Sequence, residues 1–431
     1  MAQRILYLAS LRLNNNMKVA FKTLGCRLNQ YETDALAAQF KGNGYEVSEK
    51  EEGADVVVVN TCTVTNQSNQ KSRYVISHAG RINPDAKMVI TGCMAESHAN
   101  QLQKKFPQAT VINNKGKSGI FHSVDSLVKT GNAELSGEDY DLFSYQSFTE
   151  MFHTRSLIKI QDGCDNFCTF CIIPFVRGRA ISRPVEQVLE NVRDVVAKGA
   201  KEIVLTGVNI SRYEYEGVKF SGLVDKILNL EGDFRVRISS IEPDRFDDHF
   251  FTLIGHPKLA PHLHLCLQSG SERILLQMRR MYTVKDYLNI VERVRKVDPA
   301  SNFTTDIIVG FPGETEEEFE ETMSIAREVG FGHMHIFKYS VRQGTRAERM
   351  PNHIPDKVKT ERSKRMHELA EELTAAYRAP FDNTEQRILV EKWKDGVASG
   401  YNDYFVPMEF ASDNKKRNRF EVVKARVKDF E

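Results

Sequence analysis

A chain of 431 residues with 41% hydrophobic side chains is long enough for two or three domains, each with its own core. Its 59 Lys and Arg residues nearly balance 58 Asp and Glu residues, so a nucleic-acid site would have to be local. We find no apolar run of transmembrane length and no signal peptide with a cleavage site, which excludes a membrane protein and predicts a cytoplasmic location.

The first 16 residues differ in character from the rest of the chain. Met17 opens the apolar run MKVAF, and we expect residues 1–16 to be a non-native leader upstream of the natural start. A short targeting helix is the alternative. It is disfavoured because the stretch is brief and ends in a run of asparagines.

Three apolar runs in the region 17–140 alternate with helical segments. The runs are KVAFKTL, ADVVVVNT and AKMVIT, and they are bounded by Gly, Asn and Thr, as is typical of buried parallel strands. The segments NQYETDALAAQFKGNGY and NQKSRYVISHAGRIN lie between them. This β-α-β-α-β order predicts an N-terminal α/β domain with a doubly wound parallel sheet.

A cysteine follows each of these three runs. Cys26, Cys62 and Cys93 share this strand-end position, and the loops after parallel strands converge at one edge of a sheet. The pattern predicts that the three thiols meet and form a metal-binding set. Three separate buried thiols are the alternative.

The region 150–378 repeats strand and helix six times. The apolar runs are SLIKIQDG, EIVLTGVN, RVRISSIE, HLHLCLQS, NFTTDIIVG and HMHIFKYS, and amphipathic segments such as PVEQVLENVRDVVAKGA lie between them. Six such units predict a partial (β/α)6 barrel of the TIM type, with its chemistry on the loops after the strands.

Three further cysteines lie on the loop after the first of these strands. Cys164, Cys168 and Cys171 have the spacing C-x3-C-x2-C among Gly, Asp and Asn residues. A closed zinc site takes four ligands, and no fourth Cys or His is near in the sequence. An iron–sulfur cluster on three thiolates keeps one open iron that can bind a substrate. We predict such a cluster here, with zinc or an incidental grouping as alternatives, and a second one on the N-terminal cysteines. The seventh cysteine, Cys266, lies in an apolar alternation and is expected to be a buried core residue.

The region 380–431 contains short strands whose spacing suits a small five-stranded antiparallel barrel. Lys415, Lys416 and Arg417 form a basic run, and Tyr404 is one of several aromatic residues nearby that could stack on unpaired bases. A solvated loop is the alternative for the basic run.

Several motifs carry a family resemblance. The spacing C-x3-C-x-aromatic-C, with Phe170 as the aromatic residue, resembles the radical S-adenosylmethionine (SAM) superfamily. The motifs TLGCRLNQYETDA, NTCTVT, TGCMAE, LQSGSERILLQMRRMYT and TDIIVGFPGETEEEF resemble the methylthiotransferases of that superfamily, and the C-terminal region resembles the RNA-binding TRAM module. One departure is Arg279, where the family usually has Asn.

The resemblance implies cofactors and a reaction. It implies two [4Fe–4S] clusters, one on each cysteine set, and two uses of SAM. One SAM methylates a sulfur at the auxiliary cluster, and another is cleaved at the cluster on Cys164, Cys168 and Cys171 to a radical that abstracts hydrogen from the substrate carbon. The SAM contacts that it implies are Phe170, Thr206, Gly207, Asn209, Gln268, Ser269, Ile307, Val309 and Gly310.

The resemblance also implies a substrate and partners. GCRLNQYET and LTGVNISRY are similar to the tRNA threonylcarbamoyladenosine branch, which methylthiolates adenine C2 at position 37 in the anticodon loop. Isopentenyladenosine in tRNA and an aspartate of a ribosomal protein are the other substrates of the family. A sulfur donor and a reducing partner such as flavodoxin or ferredoxin would also be needed. A cationic pocket would suit the substrate carboxylate, and the candidates for it are Arg27, Arg177, Arg183 and Arg280.

Two further classes of function stay open. An RNA-binding protein with a structural metal would explain the C-terminal module but not six cysteines at strand ends. A radical SAM enzyme that inserts sulfur into a small molecule would explain the clusters but not the TRAM-like region.

Overall fold

The computed structural model describes residues 17–130, 141–145 and 153–428. The predicted leader and the predicted boundary between residues 140 and 150 lie largely outside these residues. The chain forms two compact units. The first comprises Met1–Phe152 with Ile172–Gly178, and the second comprises His153–Cys171 with Arg179–Glu431.

The first unit contains a parallel sheet in the order β2-β1-β3-β4-β5. Its strands are β1 (Lys18–Thr23), β2 (Glu46–Ser48), β3 (Val56–Thr61), β4 (Lys87–Gly92) and β5 (Thr110–Val111). Its helices are α1 (Arg27–Gly42), α2 (Asn66–Ile82), α3 (Cys93–Lys105), α4 (Ile120–Thr130) and the short α5 (Ile173–Arg177).

Helices cover both faces of this sheet because its central strand is apolar on both sides. All six residues of β3 are buried. Val56 and Val58 pack in one cluster with Phe40 of α1, whereas Val57 and Val59 pack in another with Ile76 of α2. Successive side chains of a strand point to opposite faces, so a run of valines needs a layer on each side. The predicted doubly wound sheet is confirmed.

The second unit begins with two parallel sheets that contain the six predicted strands. One has the order β12-β9-β6 and the other the order β13-β14-β15-β16, and Ser239 separates β12 from β13. An isolated parallel bridge between Val236 of β12 and Leu259, just before β14, links the two sheets. The strands of this region are β6 (Ser156–Lys159), β7 (Gln161–Asp162), β8 (Ile181–Ser182), β9 (Glu202–Thr206), β10 (Glu214–Tyr215), β11 (Val218–Lys219), β12 (Arg235–Ile238), β13 (Ser240–Ile241), β14 (His262–Leu265), β15 (Asn302–Val309) and β16 (His333–Lys338).

Helices pack against one face of these two sheets, as a partial barrel requires. They are α6 (Val185–Ala197), α7 (Phe220–Leu228), α8 (Asp248–Leu253), α9 (Glu272–Gln277), α10 (Val284–Val297), α11 (Glu316–Val329) and α12 (Asp356–Arg378). Capping boxes start two of them, Thr283 with Asp286 at α10 and Thr315 with Glu318 at α11. The opposite face of the two sheets is the inside of a half-barrel. The predicted partial barrel is confirmed.

The C-terminal strands close into a barrel of four strands in the described residues, not the five that the spacing predicted. The strands are β17 (Thr384–Lys394), β18 (Val397–Asn402), β19 (Pro407–Ala411) and β20 (Arg419–Val427). The long strand β17 takes the place of two predicted strands, because it pairs with a different neighbour along each of its halves. β17 pairs with β20 along its first part and with β18 along its second, and its register shifts between Val390 and Lys392. A bulge bends a strand and lets it turn a barrel corner.

The C-terminal barrel inserts residues into one end of the half-barrel. Phe405 lies against the ring of His262 at a centroid distance of 4.8 Å and beneath the guanidinium of Arg237. Asp403 accepts a bond from Arg235 at 2.8 Å. Both arginines also bind Glu202, and all three of these side chains are completely buried. The C-terminal barrel is therefore part of the packing of the second unit.

None of the helices in the part of the chain that the structure describes is long and apolar enough to cross a membrane.

Candidate active site

The cysteine set of the second unit lies on the loop after β6 and β7. Cys164 follows Gly163, whose φ of 69° turns the chain. The amide of Cys171 donates to the carbonyl of Cys168 at 3.0 Å, which holds these two residues in one turn. Cys168 is buried, whereas Cys164 and Cys171 are partly exposed. Three thiols on one short loop, two of them open on one side, suit a cluster that must also meet a small molecule.

Nitrogen donors surround these sulfurs. The Asn166 amide and the Asn209 side chain lie 3.5 and 3.7 Å from Cys164 Sγ. Arg280 Nη1 lies 3.2 Å from Cys168 Sγ. Donors directed at sulfur stabilise the thiolate form, which is the form that binds iron. The donor set of this loop therefore fits an iron–sulfur cluster.

Arg280 has a different place from the one that we expected. It was a candidate partner for a substrate carboxylate, but its side chain is buried against the cluster loop. Besides Cys168 it contacts the Glu242 carboxylate and the Tyr282 hydroxyl. Its charge is therefore matched within the protein, and a second carboxylate would have to displace Glu242.

The loop after β9 is tied to the cysteine loop through Gln161. Its Oε1 accepts the amides of Val208 and Asn209 at 3.1 and 2.9 Å. At Gly207 a Cβ would lie 2.8 Å from the Gln161 carbonyl, so only glycine allows this approach. Thr206 ends β9 and is buried. The structure thus places the predicted Asn209 beside Cys164, whereas Thr206 and Gly207 lie against Ile160 and Gln161. Gln161 was missed because nothing in its sequence context distinguishes it from an ordinary strand residue.

Two predicted SAM contacts, Gln268 and Ser269, follow β14. The main chain of Gln268 and the side chain of Ser269 are both bonded within the protein. Gln268 has a φ of 64°. Its amide donates to the carbonyl of Asp306, and its carbonyl accepts from Ile308. Ser269 is fully buried, and its hydroxyl lies 3.3 Å from that of Thr322 on α11. The Ser269 side chain therefore faces a helix rather than the inside of the half-barrel.

The end of β15 and the residue after it could contact SAM through main-chain atoms rather than through side chains. Ile307 and Val309 are buried in the core beneath the helices, so their side chains point away from the inside. Gly310 has a φ of 73°, and a Cβ there would clash with the side chain of Lys359. Phe170 packs edge-on against Phe311 with a centroid distance of 6.4 Å. These contacts fix the backbone of the segment close to the cysteine loop.

The cysteine set of the first unit lies at the carboxyl ends of its strands. Cys62 follows β3, Cys93 begins α3 after β4, and Cys26 caps α1 after β1. At Gly25 a Cβ would lie 2.9 Å from Cys62 Sγ, so the loop that carries Cys26 touches Cys62. Burial raises the pKa of Cys93, and the thiolates of Cys26 and Cys62 are near enough to raise it further. The three thiols are thus electrostatic neighbours.

Buried cations accompany this set. Lys117 and Arg177 both bind Glu32, at 2.6 and 3.0 Å, and Arg177 also donates to Asn29 at 2.6 Å. Both cations oppose the raised pKa of Cys93. Burial lowers the pKa of Lys117, while Glu32 opposes that effect. Two cations near Cys93 fit an anionic group on three thiolates. Arg177 therefore belongs to this buried packing, and its predicted contact with a substrate carboxylate stays a prediction.

The remaining arginine candidates differ in exposure. Arg183 is buried and donates to the Asn191 side chain at 2.8 Å, and its predicted contact with the substrate stays a prediction. Arg27 is partly exposed and adjoins Cys26 at the start of α1.

The predicted RNA contacts in the C-terminal barrel differ in exposure: Tyr404 points inward, whereas the three basic residues are exposed. Tyr404 packs on Phe381 with a centroid distance of 5.1 Å, and its carbonyl accepts a bond from Asn302. This inward position disfavours base stacking by Tyr404. Lys415, Lys416 and Arg417 are exposed on the turn between β19 and β20. They form a local basic surface.

Comparisons with known proteins agree with this geometry. Residues 158–326 match the Radical SAM superfamily, and residues 18–113 match an uncharacterized protein family, UPF0004. The fold is similar to that of a radical SAM methyltransferase, TsrM from Kitasatospora setae, with a TM-score of 0.56 and 15% identity over 75% of this chain and 72% of that one. The fold and the cysteine loop define a radical SAM enzyme.

Proteins that are similar to almost the whole chain identify the family within the radical SAM enzymes. The threonylcarbamoyladenosine tRNA methylthiotransferase MtaB of Bacillus subtilis is 37% identical over 407 residues, which cover 91% of this chain and 90% of that protein. The tRNA-2-methylthio-N(6)-dimethylallyladenosine synthase of Fusobacterium nucleatum is 37% identical over 385 residues, which cover 87% and 88%. The chain belongs to the radical SAM methylthiotransferase family, whose cofactors are two [4Fe–4S] clusters and SAM. The predicted family is confirmed.

Proposed function

We propose that this protein transfers a methylthio group to adenine C2 of N6-threonylcarbamoyladenosine at position 37 of tRNA. One observation carries the proposal: the chain holds two three-cysteine sets, each at the ends of parallel strands. The full-length similarity to MtaB of Bacillus subtilis supports the substrate. The Fusobacterium nucleatum relative keeps dimethylallyladenosine in tRNA as the second candidate.

The residues of the second unit hold the radical centre. Cys164, Cys168 and Cys171 would bind three irons of a [4Fe–4S] cluster that supplies, with SAM, a radical able to remove hydrogen from an unactivated carbon. Asn209 and Arg280 direct N–H groups at the cysteine sulfurs and so disperse thiolate charge. Such hydrogen bonds tune the potential of a cluster.

Two glycines, Gly207 and Gly310, allow close contacts between the segments around the proposed radical centre. Gly207 admits the Gln161 carbonyl, and Gly310 admits the side chain of Lys359. These close contacts hold the two loops in place beside the proposed small-molecule site. The amide and carbonyl of Gln268 are already bonded to Asp306 and Ile308, so its side chain is the part that would contact SAM. The amide of Gly310 donates to Glu314, which fixes the turn that would carry a SAM contact. Asn209 has a side chain in position to contact SAM.

The residues of the first unit hold the sulfur-presenting centre. Cys26, Cys62 and Cys93 would bind the second cluster, and Lys117 and Arg177 would compensate its negative charge. Arg27 remains our candidate contact for the carboxylate of the threonylcarbamoyl group, since it adjoins Cys26 at the start of α1. A sulfur donor and a reductant such as flavodoxin or ferredoxin are needed to complete the reaction.

The C-terminal barrel would bind tRNA through its basic turn. Lys415, Lys416 and Arg417 can contact phosphates, which position an RNA without reading its sequence. The partly exposed aromatic side chains near the turn contribute little, because Tyr401 and Phe405 stack on each other at 4.5 Å.

Nucleoside mass spectrometry of tRNA tests the proposal. The strain lacking the gene should accumulate threonylcarbamoyladenosine and lose its 2-methylthio form, and complementation should restore that form. Loss of the methylthio form of isopentenyladenosine instead would keep the reaction class and move the substrate to the second candidate. If neither nucleoside changed, a ribosomal-protein aspartate would become the substrate to test.

A further inference from the structure

A second set of possible metal ligands lies on the inside of the half-barrel. His264 of β14, Asp306 of β15 and His335 of β16 each offer a ligand atom, and these atoms all lie within 4.8 Å of one another. Asp306 is directly opposite His335 in the parallel register. The register pairs His264 with Thr304, so His264 is diagonal to Asp306. Three neighbouring strands of one sheet hold the set, which makes its backbone rigid.

Thr304 orients the ring of His264. Its hydroxyl lies 2.9 Å from His264 Nδ1 and 3.1 Å from His262 Nε2. A hydroxyl has one proton. When Thr304 donates it to His262, the oxygen accepts from Nδ1–H of His264, and His264 Nε2 then carries a lone pair. This is the tautomer of a metal-binding histidine whose other nitrogen is held by a hydrogen bond.

The separation between His264 and Asp306 suits a shared cation. His264 Nε2 lies 3.3 Å from Asp306 Oδ1. A charge-assisted hydrogen bond to a carboxylate is shorter, at about 2.7–2.9 Å. In a tetrahedral site with ligand bonds of about 2.0–2.1 Å, neighbouring ligand atoms lie roughly 3.4 Å apart. The observed separation therefore corresponds to an edge of such a site, and the exposed His335 can approach by turning its ring.

We propose that His264, Asp306 and His335 bind one divalent cation of the zinc type, separate from both iron–sulfur clusters. Two imidazoles and one carboxylate suit a borderline metal rather than Mg²⁺ or Ca²⁺, which take oxygen ligands. Three protein ligands leave a fourth position for water or for an oxygen atom of a bound molecule. That position opens to the inside of the half-barrel. The inference does not depend on which nucleoside is the substrate.

The test uses the full chain with both clusters reconstituted under anaerobic conditions. The protein is freed of loosely held metal on a chelating resin, incubated with Zn²⁺ and gel-filtered, and its zinc and iron are measured by mass spectrometry. We expect about one zinc per chain at unchanged iron content. Asp306→Asn and His335→Gln should each lower the zinc content at least fivefold without lowering iron. His249→Gln is the matched control, because His249 pairs with Asp225 at 3.5 Å on the surface and the described residues add no third ligand there.

X-ray absorption at the zinc edge separates the proposed site from the cysteines. Nitrogen and oxygen neighbours near 2.0 Å support the proposal, whereas sulfur neighbours near 2.3 Å would place the zinc on thiolates and overturn it. The proposal also fails if the parent protein keeps less than about a fifth of an equivalent of zinc, or if Asp306→Asn and His335→Gln keep as much as the parent. In either case His264 and Asp306 form an ordinary hydrogen bond.

Discussion

Arg280 donates from Nη1 to the sulfur of Cys168 at 3.2 Å, while its Nη2 contacts the Glu242 carboxylate. The buried guanidinium thus joins a predicted cluster ligand to a carboxylate on another loop. A positive charge at this sulfur should stabilise the reduced, more negative state of the cluster, because charge interactions are strong where water is excluded.

Arg280→Met should therefore lower the midpoint potential of the radical SAM cluster and slow SAM cleavage about tenfold. Electron paramagnetic resonance during a redox titration gives the potential, and chromatography of 5′-deoxyadenosine gives the cleavage rate. The matched control is Arg279→Met, since Arg279 is adjacent in sequence but exposed. Equal potentials in the two variants would remove any electrostatic role for Arg280.

The two cysteine sets should be separable by iron content. Replacing Cys26, Cys62 and Cys93 with alanine should lower iron from about eight to about four atoms per chain, with SAM cleavage retained and methylthiolation abolished. The corresponding replacement of Cys164, Cys168 and Cys171 should leave about four iron atoms but no cleavage. If the first triple variant kept its full iron content, Cys26, Cys62 and Cys93 would not be cluster ligands.

Lys117→Met tests the buried charge beside Cys93. It removes one of the two cations that share Glu32, so the second cluster should be bound more weakly, with about half of its iron lost during gel filtration. Lys115→Met, two residues away on an exposed side chain, is the control. A fully loaded Lys117→Met protein would show that Arg177 alone compensates the charge.

Glu202 links stability to pH. Burial alone would raise its pKa, but Arg235 and Arg237 outweigh burial and hold the pKa of Glu202 well below its ordinary value of 4.5. A carboxyl group with a lowered folded-state pKa stabilises the fold above the unfolded pKa, and this contribution disappears as pH falls through the folded pKa.

Glu202→Gln should therefore destabilise the protein by roughly 3–5 kcal/mol at pH 7, because two buried guanidiniums lose their shared carboxylate. The difference from the parent should stay constant down to about pH 5 and shrink below pH 4.5, as followed by urea unfolding. Asp233→Asn breaks an exposed pair with Lys201 and should cost less than about 1 kcal/mol. A difference that grew on acidification would contradict the assignment.

Arg279 occupies a left-handed backbone position, with a φ of 57°. Asparagine tolerates this region better than arginine does, because its short amide can bond to the local backbone. Arg279→Asn should stabilise the fold by about 0.5–1 kcal/mol in thermal or urea unfolding. Arg279→Ala, which has no such amide, should give no gain. Equal effects of the two changes would show that backbone strain at this position is negligible.

Much of this architecture could be predicted from the sequence. Unbroken valine runs such as that of β3 need cover on both faces, and loops after parallel strands share an edge, so the neighbourhood of Cys26, Cys62 and Cys93 could be inferred from their positions. Spacing cannot tell which way a side chain points within a loop. The side chain of Ser269 faces Thr322 on a helix, and that of Arg280 faces the sulfur of Cys168. Both orientations depend on how distant segments pack together.

The barrel with four strands was mispredicted for a related reason. Turn residues mark where strands end, but a bulge within β17 lets one strand pair on both sides without a turn. Tyr404 was assigned to RNA because it is aromatic and near basic residues. Its contacts with Phe381 and Asn302 depend on how the C-terminal barrel packs on the half-barrel, which no local pattern reports.

The insertion of Asp403 and Phe405 into the half-barrel has a consequence for engineering. A truncation near residue 380 is the natural way to ask whether RNA binding is needed. It would remove the Asp403 carboxylate from Arg235 and the Phe405 ring from beneath the guanidinium of Arg237. Loss of activity in such a truncated protein could then result from disrupted packing inside the half-barrel as well as from a lost RNA contact. Charge changes confined to Lys416 and Arg417 leave that interior whole, and a chimaera with a relative's C-terminal barrel must bring along an acid and an aromatic residue at these two places.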